Sequence, residues 1–257
     1  MNSATQQHSK PGINWRAQAY EALNELRRSA RMPMFVLPSL LFPWMFYTFF
    51  GVLFNKGGGH AAYLMVSYAC FGVIGPALFG FGVSVSVDRQ QGLLSLKRAV
   101  AMPVSAYFNA KIIMSLIFGL IIIHGLLVIA LTMTDLSISF GQWIALATVL
   151  LLGALPFCAL GLAIGIWVNA QAAPAVINLV YLPSAFLSGL WIPIFLLPQS
   201  LQQVAWILPP YHFSQLCYGV LGISQGYPMT IHLFALLAFT VLFLALAKKG
   251  YQRISDR

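Results

Sequence analysis

Residues 107–131 read YFNAKIIMSLIFGLIIIHGLLVIAL, and this run decides the class of fold. It carries one formal charge, Lys111, close to its start. A helix of about 20 apolar residues crosses the ~30 Å hydrocarbon core of a bilayer, so this run is long enough to span one. Beyond it, the only formal charge between Ile112 and Ala247 is Asp135. Over all 257 residues 60% are hydrophobic and 7% charged, against roughly 25% charged in a soluble domain. So few charges cannot cover a water-facing surface. The expectation is an all-α membrane protein forming a single transmembrane domain over residues 1–257.

On either side of this run, further spans are expected at 34–54, 61–87, 142–167, 175–190 and 229–247, making six transmembrane helices with 107–131. Pro38 and Pro43 are expected to kink the first near its start. Gly72, Gly75, Gly80 and Gly82 would let neighbouring helices approach the second closely. Before them, 14–31 is expected to form an amphipathic interfacial helix. Trp15, Ala19, Ala22, Leu23, Leu26 and Ala30 would lie on one face, with Glu21, Glu25 and Arg28 turned away. Residues 191–218 are apolar but contain Pro193, Pro198, Pro209 and Pro210, which exclude a single straight helix. Short helices forming a re-entrant outer hairpin fit that segment better.

The net charge of +9 invites a nucleic-acid reading, which the positions of the charges argue against. They fall in three groups: Lys10, Arg16, Arg27, Arg28 and Arg31; Arg89, Lys97, Arg98 and Lys111; and Lys248, Lys249, Arg253 and Arg257. Lys56 stands alone. With six spans, both termini and the 88–103 loop share the cytoplasmic side, and thirteen of the fourteen basic residues are then inside, counting Lys111 at the start of the 107–131 span. A seventh span through 191–218 would put the basic tail outside, against the positive-inside bias. The mostly polar first thirty residues lead us to expect no cleavable signal peptide. An inner (plasma) membrane location with cytoplasmic termini is expected.

Catalytic constellations are missing from the sequence. There is no G-x-x-x-x-G-K-[ST] phosphate loop, H-E-x-x-H helix or G-x-S-x-G elbow. Cys70, Cys158 and Cys217 are widely spaced in apolar surroundings and read as packing residues rather than a disulfide framework or metal site. His124 lies mid-span without an accompanying acid, so it is expected to bond, neutral, across to another helix. Asp135 reads as a solvated loop acid. His212 and His232 are weaker candidates near the outer face.

Asp88-Arg89-Gln90-Gln91-Gly92-Leu93-Leu94-Ser95-Leu96, followed after Lys97 and Arg98 by Met102-Pro103-Val104-Ser105, is the most informative polar stretch. Leucines fringed by basic residues suit docking of another protein. Here the chain resembles the permease subunits of the ABC-2 family of exporters, with their acid-Arg-x-x-Gly-x-Leu-x-x-Leu stretch, its last leucine standing one place early, and Pro-Val-Ser-like step. Ser188-Gly189-Leu190-Trp191-Ile192-Pro193, continuing to Leu208-Pro209-Pro210-Tyr211-His212, is similar to that family's proline-rich outer hairpin. Gln90 and Gln91 depart from frequently charged positions.

The resemblance implies a permease without ATPase motifs, paired with a second permease (a homodimer is the economical expectation). Two copies of a separate nucleotide-binding subunit would bind ATP and Mg; no cofactor is expected in this chain. It further implies docking through Glu25, Arg28, Asp88, Arg89, Gly92, Leu93, Leu94, Leu96, Lys97 and Arg98, with 88–103 as a coupling loop. Helices two and five would line the cargo path, making Ser67, Ser84, Asn178, Ser184 and Ser188 candidates. The competing interpretation of each serine is a local bond to its own helix. A hydrophobic or amphipathic cargo such as a drug or lipid is expected, with sugar polymers an alternative. An ion-gradient-driven carrier and a non-transporting scaffold are the rival readings.

Overall fold

The computed structural model describes residues 15–54, 60–94, 96, 104–224 and 226–255. Among the described residues all regular structure is helical. In chain order it comprises α1 (Trp15–Ala30), α2 (Pro33–Phe46, continuing as a π-helix over Tyr47–Leu53), α3 (Ala61–Gln90) and α4 (Val104–Met133). Then come α5 (Phe140–Leu152), α6 (Leu155–Trp167), α7 (Ala173–Leu187), a 3-10 turn (Ile194–Leu196), α8 (Gln199–Ala205), α9 (Pro209–Val220) and α10 (Met229–Ser255).

Among the described residues, five stretches are long and apolar enough to cross a membrane: Pro33–Leu53, Ala61–Gln90, Ser105–Met133, Phe140–Trp167 and Met229–Arg253. The sixth expected span, 175–190, corresponds to α7, which is apolar but has only 15 residues. At 1.5 Å per residue it covers ~22 Å, short of the ~30 Å core. Its end is set by Gly189, whose φ of +82° leaves the helical region, as glycine does without steric cost. The segment 191–218 is broken, as its prolines require, into the 3-10 turn, α8 and the start of α9.

α3 is the axis of the fold. It is buried along most of its length and packs against α2, α4, α6, α7 and α9. Helices in lipid gain little from hydrophobic association with one another, so close backbone approach and polar contacts must hold them. Gly161 and Gly165, one turn apart on α6, supply the approach. A Cβ at Gly161 would lie 2.8 Å from the Leu78 carbonyl oxygen, and one at Gly165 2.8 Å from that of Gly82. Neither backbone carbonyl can give way. The α3 glycines face four different neighbours: Gly72 meets α2 and α4, Gly75 meets α7, Gly80 meets α4, and Gly82 meets α6 and α7.

Aromatic side chains close the half of the core around the start of α3. Tyr63 stacks on Tyr218 at 4.3 Å, and Phe71 on Tyr181 at 4.9 Å. Their hydroxyls are used as well. Tyr181 donates to the Phe71 carbonyl at 2.6 Å, and the Tyr218 hydroxyl lies 2.6 Å from that of Ser67. Such pairing is needed because an unmatched polar group in an apolar interior is costly. At α5, Ser139 and Gln142 form a reciprocal capping box that starts the helix in the loop after α4,.

Two local expectations change. α1 packs on the protein through Ala22, Glu25 and Ser29, while Trp15, Tyr20 and Leu23 remain exposed. Glu25 therefore turns inward beside Ala22, and Trp15, Ala19, Leu23 and Ala30 of the apolar side face out, an orientation suited to a lipid interface,. His124 bonds within its own helix, with Nδ1 2.7 Å from the Leu120 carbonyl oxygen. Its contact across to α5 is with the Trp143 ring at 4.8 Å instead of a hydrogen bond. Asp135 is exposed, and the three cysteines are free and buried.

Gly165→Leu should force α6 away from α3 and destabilise the fold by about 1–3 kcal/mol. Gly141→Leu, at a site with open space around it, should leave stability nearly unchanged. Thermal unfolding of the two purified variants in one detergent compares them directly.

Candidate functional site

Four charged side chains meet where α1, the end of α3 and the start of α4 converge. Helical periodicity prepares each contribution, since residues three or four apart share a face. Glu25 and Arg28 do so on α1, Ser84 and Asp88 on α3, and Tyr107 and Lys111 on α4. Lys111 and Asp88 are fully buried, and Glu25 nearly so. The Lys111 ammonium donates to Glu25 Oε1 at 2.7 Å and to Ser84 Oγ at 2.7 Å. Its Nζ is 3.4 Å from Asp88 Oδ2 and lies 4.7 Å from the centre of the Tyr107 ring. Asp88 Oδ1 accepts from Arg28 Nη1 at 2.7 Å, and Oδ2 from the Tyr107 hydroxyl at 2.8 Å.

The charge count closes. Two carboxylates face two cations, and Lys111 gives hydrogen bonds to Glu25 and Ser84 while standing at ion-pair distance from Asp88. Ser84 in turn bonds the Gly80 carbonyl in its own helix. For the less buried Arg28, partial burial works against the charge. The hydrogen bond and the attraction of Asp88 outweigh it, holding the guanidinium above its ordinary pKa. Arg28 is part-exposed, so its pair contributes less than the buried one. A buried ammonium stripped of its carboxylates would be strongly destabilising, which is why this cluster ties the three helices together.

The next residues extend the junction. Arg89 Nη2 donates to the Val168 carbonyl at 2.8 Å, and the Ala170 amide donates to Gln90 Oε1 at 3.2 Å. The end of α3 thus grips the turn between α6 and α7. The chain then reverses at Gln91-Gly92, with Gly92 at φ +72°. Leu93 is half-buried and Leu94 packs against the core, whereas Leu96 is 60% exposed. Lys97 and Arg98 lie outside the described residues.

Two cavities lie along α3, the first of them against this junction. One, of about 430 Å³, is bounded by Glu25, Arg28, Phe35, Phe79, Ser84 and Met114. The other, of about 310 Å³, lies between α2, α3 and α7 and is lined by Phe42, Phe71, Phe79, Asn178 and Tyr181. Phe79 borders both, and its ring meets that of Tyr181 edge-on at 6.5 Å.

The residues singled out from sequence therefore separate. Asn178 and Ser84 reach cavities. Ser67 is buried and bonds the Tyr63 carbonyl, and Ser184 bonds that of Tyr181. Ser188 is buried, with no hydrogen-bond partner for its hydroxyl. Glu25 and Asp88 are turned into the protein and paired within the chain, so they present no free carboxylate for docking. Arg28 and Arg89 are likewise engaged. Lys111, Tyr107 and Phe79 did not emerge from sequence. A lysine entering an apolar run four residues after a tyrosine was the available signal, since burial there demands a carboxylate partner.

Residues 22–222 match the family described as ABC-2 type transporter. The chain belongs to the ABC-2 type transporter family. The match begins inside α1 and ends before α10. A Bacillus subtilis (strain 168) protein named "Putative transport permease YvfS" is similar to it: 29% identical over 233 residues, covering 89% of this chain and 94% of the relative. With its membrane-length helices, this chain is a multi-pass membrane transport permease of the ABC-2 family. The ionic junction binds together the amino-terminal helix and the start of the loop whose motif carried the family resemblance.

Lys111→Met leaves Glu25 buried without its cation and should cost about 3–5 kcal/mol. Adding Glu25→Gln to the same chain should recover part of that loss, because the two sites are coupled. Unfolding midpoints of the two single variants and the double variant, measured in detergent, give the coupling directly.

Proposed function

We propose that this permease is the membrane half of an ATP-driven exporter, with ATP and Mg bound and hydrolysed by a separate subunit present in two copies. Two identical permeases pair in this reading. α7 completes a sixth crossing together with the apolar turn that follows it, residues 191–218 form an outer re-entrant hairpin, and both termini are cytoplasmic in an inner (plasma) membrane. The observation that carries the proposal is the position of Leu96. It is an exposed leucine beyond the Gly92 reversal, seven residues past an arginine and eight past an aspartate locked into the body of the permease. An apolar knob on a rigidly anchored reversal suits a groove on another protein.

The anchoring supplies the mechanics. A force on the 91–103 loop is passed through Asp88 to α1 and α4. Through Arg89 and Gln90 it reaches the 168–172 turn, and from there α7. α7 borders the smaller cavity, so displacing it relative to α2 and α3 alters access past Phe79. Nucleotide binding by the partner biases this two-state element because it favours one position of the loop over the other. The cargo route we assign runs from the cavity at the ionic junction, past Phe79, to the cavity holding Asn178. Walls of phenylalanine, proline and methionine with few polar groups favour a hydrophobic or amphipathic cargo of the drug or lipid class. The Gly92 turn and the half-buried Leu93 set the direction in which Leu96 points. Lys97 and Arg98 are proposed to contribute charge to the same contact.

Purification of the tagged chain from its native membrane should bring down a nucleotide-hydrolysing subunit. Leu96→Asp should lower the recovered ATPase activity at least about tenfold, the effect of losing a buried interface anchor, while leaving the permease's unfolding midpoint unchanged. Recovery of intact permease with no such subunit, under conditions that preserve other membrane complexes, would sink the exporter reading and favour an ion-driven carrier or a scaffold.

A further inference from the structure

A third cavity, of about 610 Å³, lies away from the proposed cargo route, between α3, α4, α6 and α10. Its deep end is marked by Leu155 and Thr240, its middle by Leu162, and its mouth by Phe108, Lys248 and Tyr251. It is a groove on the outer surface of the bundle: Leu155 and Leu244 on its rims are partly exposed. The wall is almost wholly apolar except at the mouth. There Lys248 is exposed and makes no hydrogen bond or ion pair with any described residue. Lys249 follows it, and Arg253 lies one turn further on, 5.1 Å from the Trp167 ring.

The dimensions identify an occupant. From Thr240 to Tyr251 α10 advances about 16 Å, and one leaflet contributes half of a ~30 Å hydrocarbon core. The groove therefore runs from near the bilayer midplane to one surface and stops where the basic residues begin. A chain lying in it would be buried in hydrocarbon along its length and would emerge beside a cationic, aromatic-lined rim. Trp and Tyr favour that interfacial depth, and Lys there attracts anionic headgroups. Close packing keeps the groove in shape. Gly250 lets α10 approach Ile166 and Trp167 of α6, and Trp167 Nε1 donates to the Leu246 carbonyl at 3.0 Å.

We propose that this groove is a binding site for an anionic phospholipid of the leaflet on the carboxyl-terminal side. One acyl chain lies along Leu162 and Leu244, and the phosphate sits at Lys248. The site requires only that the protein spans a bilayer and is independent of any ATPase partner. Its failure is therefore distinguishable from failure of the exporter reading.

The experiment uses the full chain purified in detergent. It is equilibrated with equal amounts of phosphatidylglycerol and phosphatidylcholine bearing identical acyl chains, and retained lipid is counted by native mass spectrometry. Wild-type protein should retain phosphatidylglycerol over phosphatidylcholine by about fivefold, the preference expected for one lysine at a headgroup. Lys248→Gln should reduce the ratio towards one, whereas Lys249→Gln, outside the groove, should preserve it. Leu162→Trp should reduce retention of both lipids by filling the groove. Equal retention of the two lipids by wild-type protein would overturn the site. So would equal losses in the Lys248 and Lys249 variants, or undiminished lipid retention in a folded Leu162→Trp protein.

Discussion

A lysine carried into the membrane boundary without a counter-charge would be expelled or would unfold its helix, and the architecture around α4 answers that problem. Lys111 is held by Glu25 from α1 and by Asp88 and Ser84 from α3, while Tyr107 covers it with its ring. Asp88 would in turn be a buried acid without Arg28 and Tyr107. None of these groups can be moved alone, because each balances a charge that the interior cannot solvate. The placement of α1 against the bundle, its choice of face, and the angle at which α3 hands over to the loop all follow from this balance.

The same arrangement makes the junction suitable for transmitting force. A loop resting only on apolar contacts could slide along the helices. One pinned at Asp88, Arg89 and Gln90 to three different elements carries its displacement with it. The cavities lie on the α2, α3 and α7 side of this junction, beside Phe79. The apolar groove at α10 lies on the other side. In this permease a rigid centre, α3 locked to α6 by glycine contacts, lies between the proposed cargo route and the proposed lipid groove. Movement is most easily accommodated where side chains of adaptable shape, such as Phe79 and Met114, replace backbone-to-backbone contact.

Some errors in reading the sequence are instructive. Amphipathic periodicity in α1 was legible from its spacing, but periodicity alone does not say which face meets the protein. In a soluble domain the apolar face would turn inward. Here the protein offers α1 a buried cation, so Glu25 goes in and Trp15 and Leu23 stay out. The serines of α3 and α7 illustrate another limit. A serine in a helix can always bond the carbonyl a turn earlier, and Ser67, Ser84 and Ser184 do so. Residue type and span number could not separate Ser84, which borders a cavity, from Ser67, which closes the core against Tyr218.

What the sequence determined by itself was everything governed by local composition. Helical class, the membrane-length runs, the prolines that break residues 191–218 and the family motif at Asp88–Leu96 all act over one or two turns or over one apolar run. Tertiary structure alone decided which charges are structural. The partners Glu25 and Lys111 are 86 residues apart, and Arg28 and Asp88 are 60 apart. No spacing rule connects residues on different helices. Where α7 ends was likewise decided by Gly189, whose turn of the chain shortens an apolar run that composition alone made long enough to consider. Hydropathy is additive along the chain, whereas charge neutralisation in a low-dielectric interior depends on which helices meet.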